Sequence, residues 1–288
     1  MLILLFLLPL FAWAGPSPDL ATVNAPVINM YSGASVDADV TSQSIYGTTV
    51  KVLQTREGWT KIQTPDEYTG WVQTAGLHTN KPGEHLYASQ GKIAQVQSLF
   101  SNIYREPDLT KHQPVLVLPF ETKLEVVQEQ GGAEGRWLQV RLVDDRAAWI
   151  QRGDLNFHPE QKLSVPEMIA LSKKFLGLPY LWGGTSSFGY DCSGFTQMLC
   201  RKRGYSLPRD AGPQAHWSGV MPVEKAQLQP GDLLYFGKNE NKITHTGMYI
   251  GDGQFIHATT NSKPVVQISR LADAPWPELL VACRRIKQ

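Results

Sequence analysis

The chain has 288 residues, of which 42% are hydrophobic and 18% are charged, and its formal net charge is +1. This composition is typical of a globular protein with two or three domains and excludes a disordered chain. A nucleic-acid partner is not expected, because it would need a clustered basic surface, and no cluster exceeds Arg201-Lys202-Arg203 at a predicted helix end.

The first residues predict export. An apolar run from Leu2 to Ala14 ends in the small-x-small site Ala12-Trp13-Ala14, as a signal peptide does. It is shorter than the roughly 20 residues that span a bilayer. Because no Lys or Arg precedes the run, an uncleaved anchor is the alternative. We assign residues 1–14 as the signal peptide and expect a periplasmic or extracellular protein without stable membrane insertion after its removal.

Residues 20 to 160 contain an internal repeat. In each copy two tryptophans are separated by twelve positions and a leucine follows six residues later: Trp59, Trp71 and Leu77, then Trp137, Trp149 and Leu155. Short alternating strands with Gly, Asp and Pro turns predict two small β-barrels, over residues 15–79 and 80–160. Barrels of this size are marginal alone, so we expect them to pack on a neighbour, with the tryptophans in their cores.

From residue 161 to 288 the pattern changes to helices followed by strands. The capping box Ser164-Val165-Pro166-Glu167 begins one helix. The loop Tyr180-Leu181-Trp182-Gly183-Gly184 follows, and its paired glycines allow the backbone to approach another group closely. Asp191 is the predicted N-cap of a second helix, with Cys192 at the first helical position.

Cys192 is the candidate nucleophile. A thiol attacks as thiolate, and a helix N-terminus together with an imidazole lowers its pKa. A lone cysteine is more often an inert buried thiol, but the cap, the glycine loop and two later histidines point to the same chemistry. The order cysteine, histidine, second polar group is that of papain-like hydrolases.

The chain has two other cysteines, Cys200 and Cys283. Three cysteines are too few for a disulfide scaffold. Cys200 and Cys283 either pair or remain two buried thiols, and the second alternative is favoured. No Cys-x-x-Cys and no closely spaced His pair supports a zinc site, so neither a metal nor a cofactor is expected.

His245 and His257 lie on a predicted β-hairpin around Gly251-Asp252-Gly253. With a three-residue loop Ile250 faces Gln254, and both histidines lie on one face, roughly 5–8 Å apart. A two-residue loop would place them on opposite faces, so we expect the longer turn. His245 would then act as general base and His257 would orient its ring. The remaining histidines stay unassigned: His78, His85, His112, His158 and His216.

Five motifs in order resemble the NlpC family of papain-like cell-wall cysteine peptidases, over about residues 165 to 286. They are Pro179-Tyr180-Leu181-Trp182-Gly183-Gly184, Asp191-Cys192-Ser193-Gly194-Phe195, Leu207-Pro208-Arg209-Asp210, Pro230-Gly231-Asp232-Leu233 and His245-Thr246-Gly247-Met248-Tyr249-Ile250-Gly251. The resemblance implies an α+β fold in which a helix-borne cysteine packs on an antiparallel sheet. The repeats resemble bacterial SH3-like domains, which would precede it.

The resemblance also implies a reaction and a set of roles. The reaction is hydrolysis of peptidoglycan stem peptides at the bond from the γ-carboxyl of D-glutamate to a diamino acid. Cys192 would be the nucleophile, His245 the base and His257 the orienting residue. The side chain of Tyr180 and the backbone N–H of Cys192 would form the oxyanion hole.

The substrate contacts that the resemblance implies are less determined. Asp191 and Ser193 would contact the Ala–D-Glu portion, although the helix-cap role of Asp191 competes. Arg209 would meet a substrate carboxylate or pair with Asp210. Trp182, in the glycine loop, is a further candidate for contact with substrate.

The two-barrel arrangement is similar to that of γ-D-glutamyl-diamino-acid endopeptidases that resemble muropeptide-recycling enzymes. In that subgroup the first barrel closes one end of the cleft, and an acid and a tyrosine bind the free amine of L-alanine. Tyr68 matches the tyrosine, whereas Arg146 takes its place in the second repeat. Asp39 is the candidate acid, with a solvated loop aspartate as the alternative. Such a monomeric enzyme should refuse stems still attached to glycan.

Two rival interpretations stay open. The same cysteine and histidines also suit an acyltransferase, which passes the acyl group to an amine or a lipid instead of water. A wall-binding module with an inert papain-like part is the other. The intact Cys192, His245 and His257 set argues against the second rival, since inactive relatives of enzymes usually lose one such residue.

Overall fold

The computed structural model describes residues 19–81, 83–131 and 135–287, and the predicted signal peptide lies outside them. Within these ranges no helix combines the length and the apolar character that a membrane crossing requires.

The first barrel is a seven-stranded antiparallel sheet in the order β3-β2-β6-β5-β4-β1-β7. Its strands are β1 (Leu20–Val23), β2 (Val27–Tyr31), β3 (Val40–Ile45), β4 (Thr49–Arg56), β5 (Trp59–Gln63), β6 (Thr69–Gln73) and β7 (Leu77–Thr79). A single 3₁₀ turn, Thr74–Gly76, connects the last two strands. Apolar side chains that alternate along the strands fill its core, with Met30, Val50, Ile62 and Val72 fully or almost fully buried.

The second barrel repeats this topology. Its strands are β8 (Lys92–Val96), β9 (Phe100–Ile103), β10 (Leu116–Pro119), β11 (Lys123–Gln130), β12 (Trp137–Arg141), β13 (Ala147–Gln151) and β14 (Leu155–Asn156). The order β13-β12-β11-β8-β14 matches β6-β5-β4-β1-β7 of the first barrel. A 3₁₀ turn again precedes the last strand, at Arg152–Asp154. The predicted repeat is thereby confirmed.

Three of the four repeat tryptophans lie at the barrel surfaces. In β5 the side chains alternate, so that Thr60 and Ile62 are buried while Trp59 is only half-buried. Trp71 is 8% exposed and is the one that is buried. The half-buried tryptophans of the second barrel are Trp137 and Trp149. The prediction of four core tryptophans is therefore wrong, because the two-residue period of the strands gives the inner positions to their smaller neighbours.

The remaining part has helices on a six-stranded antiparallel sheet in the order β17-β22-β18-β19-β20-β21, which confirms the α+β prediction. Its helices are α1 (Val165–Lys173), α2 (Cys192–Lys202), α3 (Ala211–Ala215) and α4 (Trp276–Leu279), with a 3₁₀ turn at Lys225–Gln227. Its strands are β15 (Thr185–Ser186), β16 (Gly189–Tyr190), β17 (Val220–Pro222), β18 (Leu233–Gly237), β19 (Ile243–Gly251), β20 (Gln254–Thr259), β21 (Val265–Arg270) and β22 (Leu280–Ile286). The capping box that begins α1 is present as predicted.

Both barrels pack on this part. The hydroxyl of Ser187 donates to the carbonyl oxygen of Leu99 at 2.5 Å, and Arg201 forms an ion pair with the buried Glu121 at 2.6 Å. Between the barrels, the Tyr46 hydroxyl accepts the Val143 N–H at 2.7 Å. The expected docking of the small barrels on a neighbour is confirmed.

Candidate active site

The N-terminus of α2 places Cys192. The Asp191 side chain caps the helix by accepting the Gly194 N–H at 2.7 Å. The Gly184 carbonyl oxygen accepts the Asp191 N–H at 3.0 Å. A Cβ at Gly194 would lie 2.2 Å from that oxygen, so a glycine is required there. The predicted cap and the close approach of the glycine loop are both confirmed.

The hairpin of β19 and β20 has a shorter turn than expected. Gln254 pairs with Gly251 instead of Ile250. Asp252 and Gly253, with φ of 52° and 70°, form a two-residue turn of the type that suits a hairpin. The predicted three-residue turn is wrong, but a bulge at Ile250 adds one residue to β19. This bulge restores the alternation, so both histidines still lie on one face.

The two histidines form a hydrogen-bonded pair that ends on a serine. His245 Nε2 and His257 Nδ1 are 2.7 Å apart, and His257 Nε2 is 3.0 Å from the Ser269 Oγ. If His257 donates to Ser269, its Nδ1 accepts from the Nε2–H of His245, and every contact is satisfied. This assignment leaves the Nδ1 of His245 as the nitrogen that can accept a proton.

Aromatic rings enclose the pair. The ring of Trp276 stacks on His245 at 5.4 Å and meets His257 edge-on at 4.9 Å, with Phe236 and Phe255 alongside. Burial lowers the pKa of His245 to about 4. Burial, with His245 beside it, holds the pKa of His257 well below 6.5. Both rings are therefore neutral at neutral pH, the state that a general base needs.

The Cys192 sulfur faces β19, where it receives the backbone N–H of Thr246, the residue after His245. Burial raises the pKa of this thiol to about 12, and the negative charge of Asp191 adds to the shift. The backbone N–H groups of Thr246 and Ser193 act in the opposite direction. The expected lowering of the thiol pKa is wrong here, because desolvation outweighs the helix end. The site at rest holds a neutral thiol and a neutral imidazole.

Tyr180 is a proton donor whose hydroxyl lies within electrostatic range of Cys192. Burial, followed by the proximity of Cys192 and Asp191, raises the pKa of its hydroxyl, which therefore stays protonated. The Tyr180 backbone N–H donates to the Pro264 carbonyl oxygen at 2.8 Å, and a bridge to Tyr190 holds the other side of the loop.

Asp191 is paired with a buried arginine. Arg209 Nη2 is 2.5 Å from Asp191 Oδ2, and Nη1 is 3.1 Å from Oδ1. The same Nη1 donates to the Ser193 hydroxyl at 2.9 Å. The alternative ion pair of Arg209 with Asp210 is wrong: Asp210 instead accepts a hydrogen bond from the Tyr68 hydroxyl at 3.3 Å.

The first barrel contacts this region at several points. A Cβ at Gly183 would lie 2.8 Å from the Val40 side chain, so the start of β3 lies against the glycine loop. Asp39 precedes this contact with an exposed side chain, and Trp182 is 70% exposed. The Tyr68 hydroxyl reaches Asp210 from the same barrel. All the predicted substrate-contact residues therefore lie on segments that meet near the N-terminus of α2.

Sequence reasoning missed three residues of this region and the actual partner of a fourth, Asp210. Ser269 supports His257, Trp276 covers both histidines, Asp210 accepts from Tyr68, and the Ser42 hydroxyl accepts from Arg209 Nε at 3.0 Å. Asp210 carried a signal, since it follows Arg209 within one of the five motifs. The others lie on segments far apart in sequence, and only the packing shows that they contact the site.

Family models match three stretches of the chain. Residues 177–285 match the NlpC/P60 family, residues 30–77 the bacterial dipeptidyl-peptidase Sh3 domain, and residues 84–156 the GW (Gly-Tryp) dipeptide domain. The second barrel thus has a different family description from the first, although both share one strand order.

Two curated relatives and one solved structure are similar over most of the chain. The γ-D-glutamyl-L-lysine dipeptidyl-peptidase of Bacillus cereus is 33% identical, covering 78% of this chain and 68% of that protein. The Bacillus subtilis protein of the same name is 30% identical, covering 88% and 83%. A crystal structure of an NlpC/P60 family protein from Bacillus cereus superposes with a TM-score of 0.78 at 25% identity, covering 93% and 99%. The chain belongs to the NlpC/P60 family and is a cysteine peptidase with N-terminal SH3-like domains.

Proposed function

We propose that the protein hydrolyses peptidoglycan stem peptides at the bond between γ-D-glutamate and a diamino acid. The observation that carries the proposal is the Cys192 thiol at the N-terminus of α2, which packs on β19, the strand that carries His245 of the neutral and hydrogen-bonded His245–His257 pair. The names of the two Bacillus relatives support the substrate class. An exported protein acting on wall peptides or on released muropeptides is consistent with the predicted signal peptide.

The reaction begins with a neutral Cys192 thiol and a neutral His245 imidazole. As the sulfur of Cys192 attacks the scissile carbonyl carbon, the Nδ1 of His245 takes the thiol proton, so that no free thiolate is needed beforehand. Collapse of the tetrahedral intermediate breaks the amide bond, and His245 returns the proton to the leaving amine. Water, deprotonated by His245, then cleaves the thioester, which releases the dipeptide acid and restores the thiol. His257 holds the ring of His245 throughout, and Ser269 holds His257.

The negative oxygen of each intermediate needs donors. The backbone N–H of Cys192 and the protonated hydroxyl of Tyr180 are the proposed pair. The backbone N–H belongs to the nucleophile itself, the Tyr180 hydroxyl lies within electrostatic range of Cys192, and the raised pKa of Tyr180 keeps its proton available for donation.

Tyr180→Phe is expected to lower kcat by about 100- to 1,000-fold, since loss of one oxyanion donor has that effect, with little change in KM. Tyr205→Phe is the matched control, because Tyr205 is a half-buried tyrosine of the same domain that lines a cavity away from Cys192. Steady-state kinetics on a defined tripeptide measures both. An unchanged kcat in Tyr180→Phe would remove Tyr180 from the oxyanion hole.

The acid limb of kcat/KM is expected to lie near the pKa of His245, which is about 4. The rate should fall as the pH is lowered, because a general base works in its neutral form. The lowered pKa of His245 preserves that form until the pH falls through about 4. Rates measured from acid to neutral pH give the limb. Trp276→Ala, which lets water reach the imidazole, should move it towards the ordinary histidine value. A wild-type limb already at that value would contradict the proposed dry environment.

The free N-terminal amine of L-alanine is proposed to bind where the first barrel meets Asp210. The Tyr68 hydroxyl and the exposed Asp210 carboxylate form a pair that suits an ammonium group, and Asp39 is a second acid on the same barrel. Asp191 is neutralised by Arg209 and is therefore less suited to that role.

Assay of L-Ala-γ-D-Glu-L-Lys and of its diaminopimelate counterpart tests the proposed reaction. The expected products are the L-Ala-D-Glu dipeptide and the free diamino acid in equal amounts. Adding an amine acceptor separates hydrolysis from acyl transfer, because a transferase would form an amide of the dipeptide. Binding to sacculi without any soluble product would instead support a wall-binding module.

A further inference from the structure

Arg209 lies where the first barrel meets the N-terminus of α2. It is 3% exposed and forms four hydrogen bonds to protein acceptors. Two reach the carboxylate of Asp191, one the hydroxyl of Ser193 and one, from Nε, the hydroxyl of Ser42 on β3. The guanidinium therefore joins both residues that flank Cys192 to a strand of another domain.

The positive charge of Arg209 neutralises a carboxylate that lies next to the nucleophile. Asp191 must be present as the N-cap of α2, but its negative charge lies next to a sulfur that has to become negative. A bidentate guanidinium neutralises the carboxylate and leaves its cap hydrogen bond in place. Arginine suits this buried position because its planar fork matches a carboxylate.

A second set of contacts joins β3 of the first barrel to the segment that precedes α2. The side-chain oxygen of Gln43 accepts from the Thr185 N–H at 3.1 Å and from the Ser186 hydroxyl at 3.2 Å. The Thr185 hydroxyl donates to the Gln43 carbonyl oxygen at 3.2 Å. Gly184, directly before these residues, holds the backbone of Asp191. The first barrel thus supports the start of α2 through two neighbouring residues of β3.

We propose that Arg209 is a positioning residue, which neutralises Asp191 and fastens the Cys192-bearing end of α2 to the first barrel through Ser42. The inference rests on the proposed peptidase function. It assigns the barrel a part in the reactivity of the thiol, in addition to contact with substrate. It also differs from a role in which Arg209 binds a substrate carboxylate.

Alkylation of Cys192 by iodoacetamide, followed as a function of pH without any peptide, tests the proposal. Mass spectrometry of the digested protein separates Cys192 from the buried Cys200 and Cys283. In Arg209→Gln the alkylation rate at neutral pH is expected to fall about tenfold, which corresponds to a rise of about one unit in the thiol pKa. Arg209→Lys, which keeps the charge but loses the fork, should show a smaller fall.

Asp191→Asn combined with Arg209→Gln is the decisive variant. Asparagine still caps the helix, and removing both charges should return the alkylation rate at neutral pH towards that of wild type. Ser42→Ala, which removes only the barrel's acceptor, is expected to lower the alkylation rate and kcat several-fold with KM nearly unchanged. An unchanged alkylation profile in Arg209→Gln together with a raised KM would overturn the proposal in favour of substrate binding.

Arg285→Gln is the matched control, because it breaks another arginine–aspartate pair of the same domain, at 2.8 Å from the buried Asp232. Its alkylation rate at neutral pH should equal that of wild type, with circular dichroism showing that each variant is folded. An equal shift in this control would attribute the effect to general destabilisation and overturn the inference. Since the alkylation measurements need no peptide cleavage, a failed peptidase assay would reject the proposed function separately.

Discussion

Cys192→Ala is expected to lower kcat for tripeptide cleavage by at least about 10⁴-fold, as removal of a catalytic nucleophile does in hydrolases with a covalent intermediate. Without sulfur the neutral His245–His257 pair has no proton to accept and no thioester can form. KM should change little, because the methyl group of alanine leaves the surrounding contacts in place. The measurement is release of the diamino acid under single-turnover and steady-state conditions.

Cys200→Ala provides the control for that experiment. Cys200 is a second buried free thiol on α2 and belongs to the hydrophobic core. Its loss should reduce stability by the removal of one buried group while kcat stays near that of wild type. Full activity in Cys192→Ala, or equal losses in both variants, would show that Cys192 is not the nucleophile.

Acylation of the substrate's N-terminal amine is expected to reduce kcat/KM by about 10³-fold or more. Acylation removes the charge that pairs with the carboxylate and adds a group that has to fit where the first barrel meets Asp210, so the modified peptide loses attraction and meets a steric clash. The comparison is L-Ala-γ-D-Glu-L-Lys with its N-acetyl form. The same peptide amidated at its C-terminus controls for modification at a distant end and should retain most of the rate.

Variants of the two acids identify the group that binds the amine. If Asp210 supplies the carboxylate, Asp210→Asn should lower kcat/KM for the free peptide. The ratio of kcat/KM between the free and the acetylated peptide should then become smaller. If Asp39 binds the amine instead, Asp39→Asn should have this effect on kcat/KM. Equal rates on free and acetylated peptides with the wild-type protein would contradict an amine site altogether, and intact stems on glycan would then be acceptable substrates.

Local sequence patterns were sufficient for the start of α2, the capping box of α1 and the barrel repeat. Asp191 caps α2 because a short acceptor side chain at that position satisfies a free N–H of the first turn, which depends on neighbours alone. The twelve-residue spacing of the tryptophans reflects two adjacent strands and the turn between them, again a local feature.

The hairpin shows how a correct conclusion can follow from an incorrect turn. Shared chemistry required that His245 and His257 lie on one face, and they do. A two-residue turn with a bulge at Ile250 and a three-residue turn without one give the same alternation. The sequence therefore constrained the total number of residues in the turn and the bulge, but not how many belong to each.

The amino-acid sequence by itself determined the family, the α+β class with two preceding barrels, and the chemical identity of the site, because motif spacing and capping are short-range properties. The tertiary structure alone decided the electrostatics. Burial of the sulfur reversed the expected charge state of the thiol, burial keeps both imidazoles neutral, and Arg209 pairs with Asp191 instead of its neighbour Asp210. Desolvation and ion pairing depend on which residues, distant in sequence, pack around a group. Local sequence patterns do not contain that information.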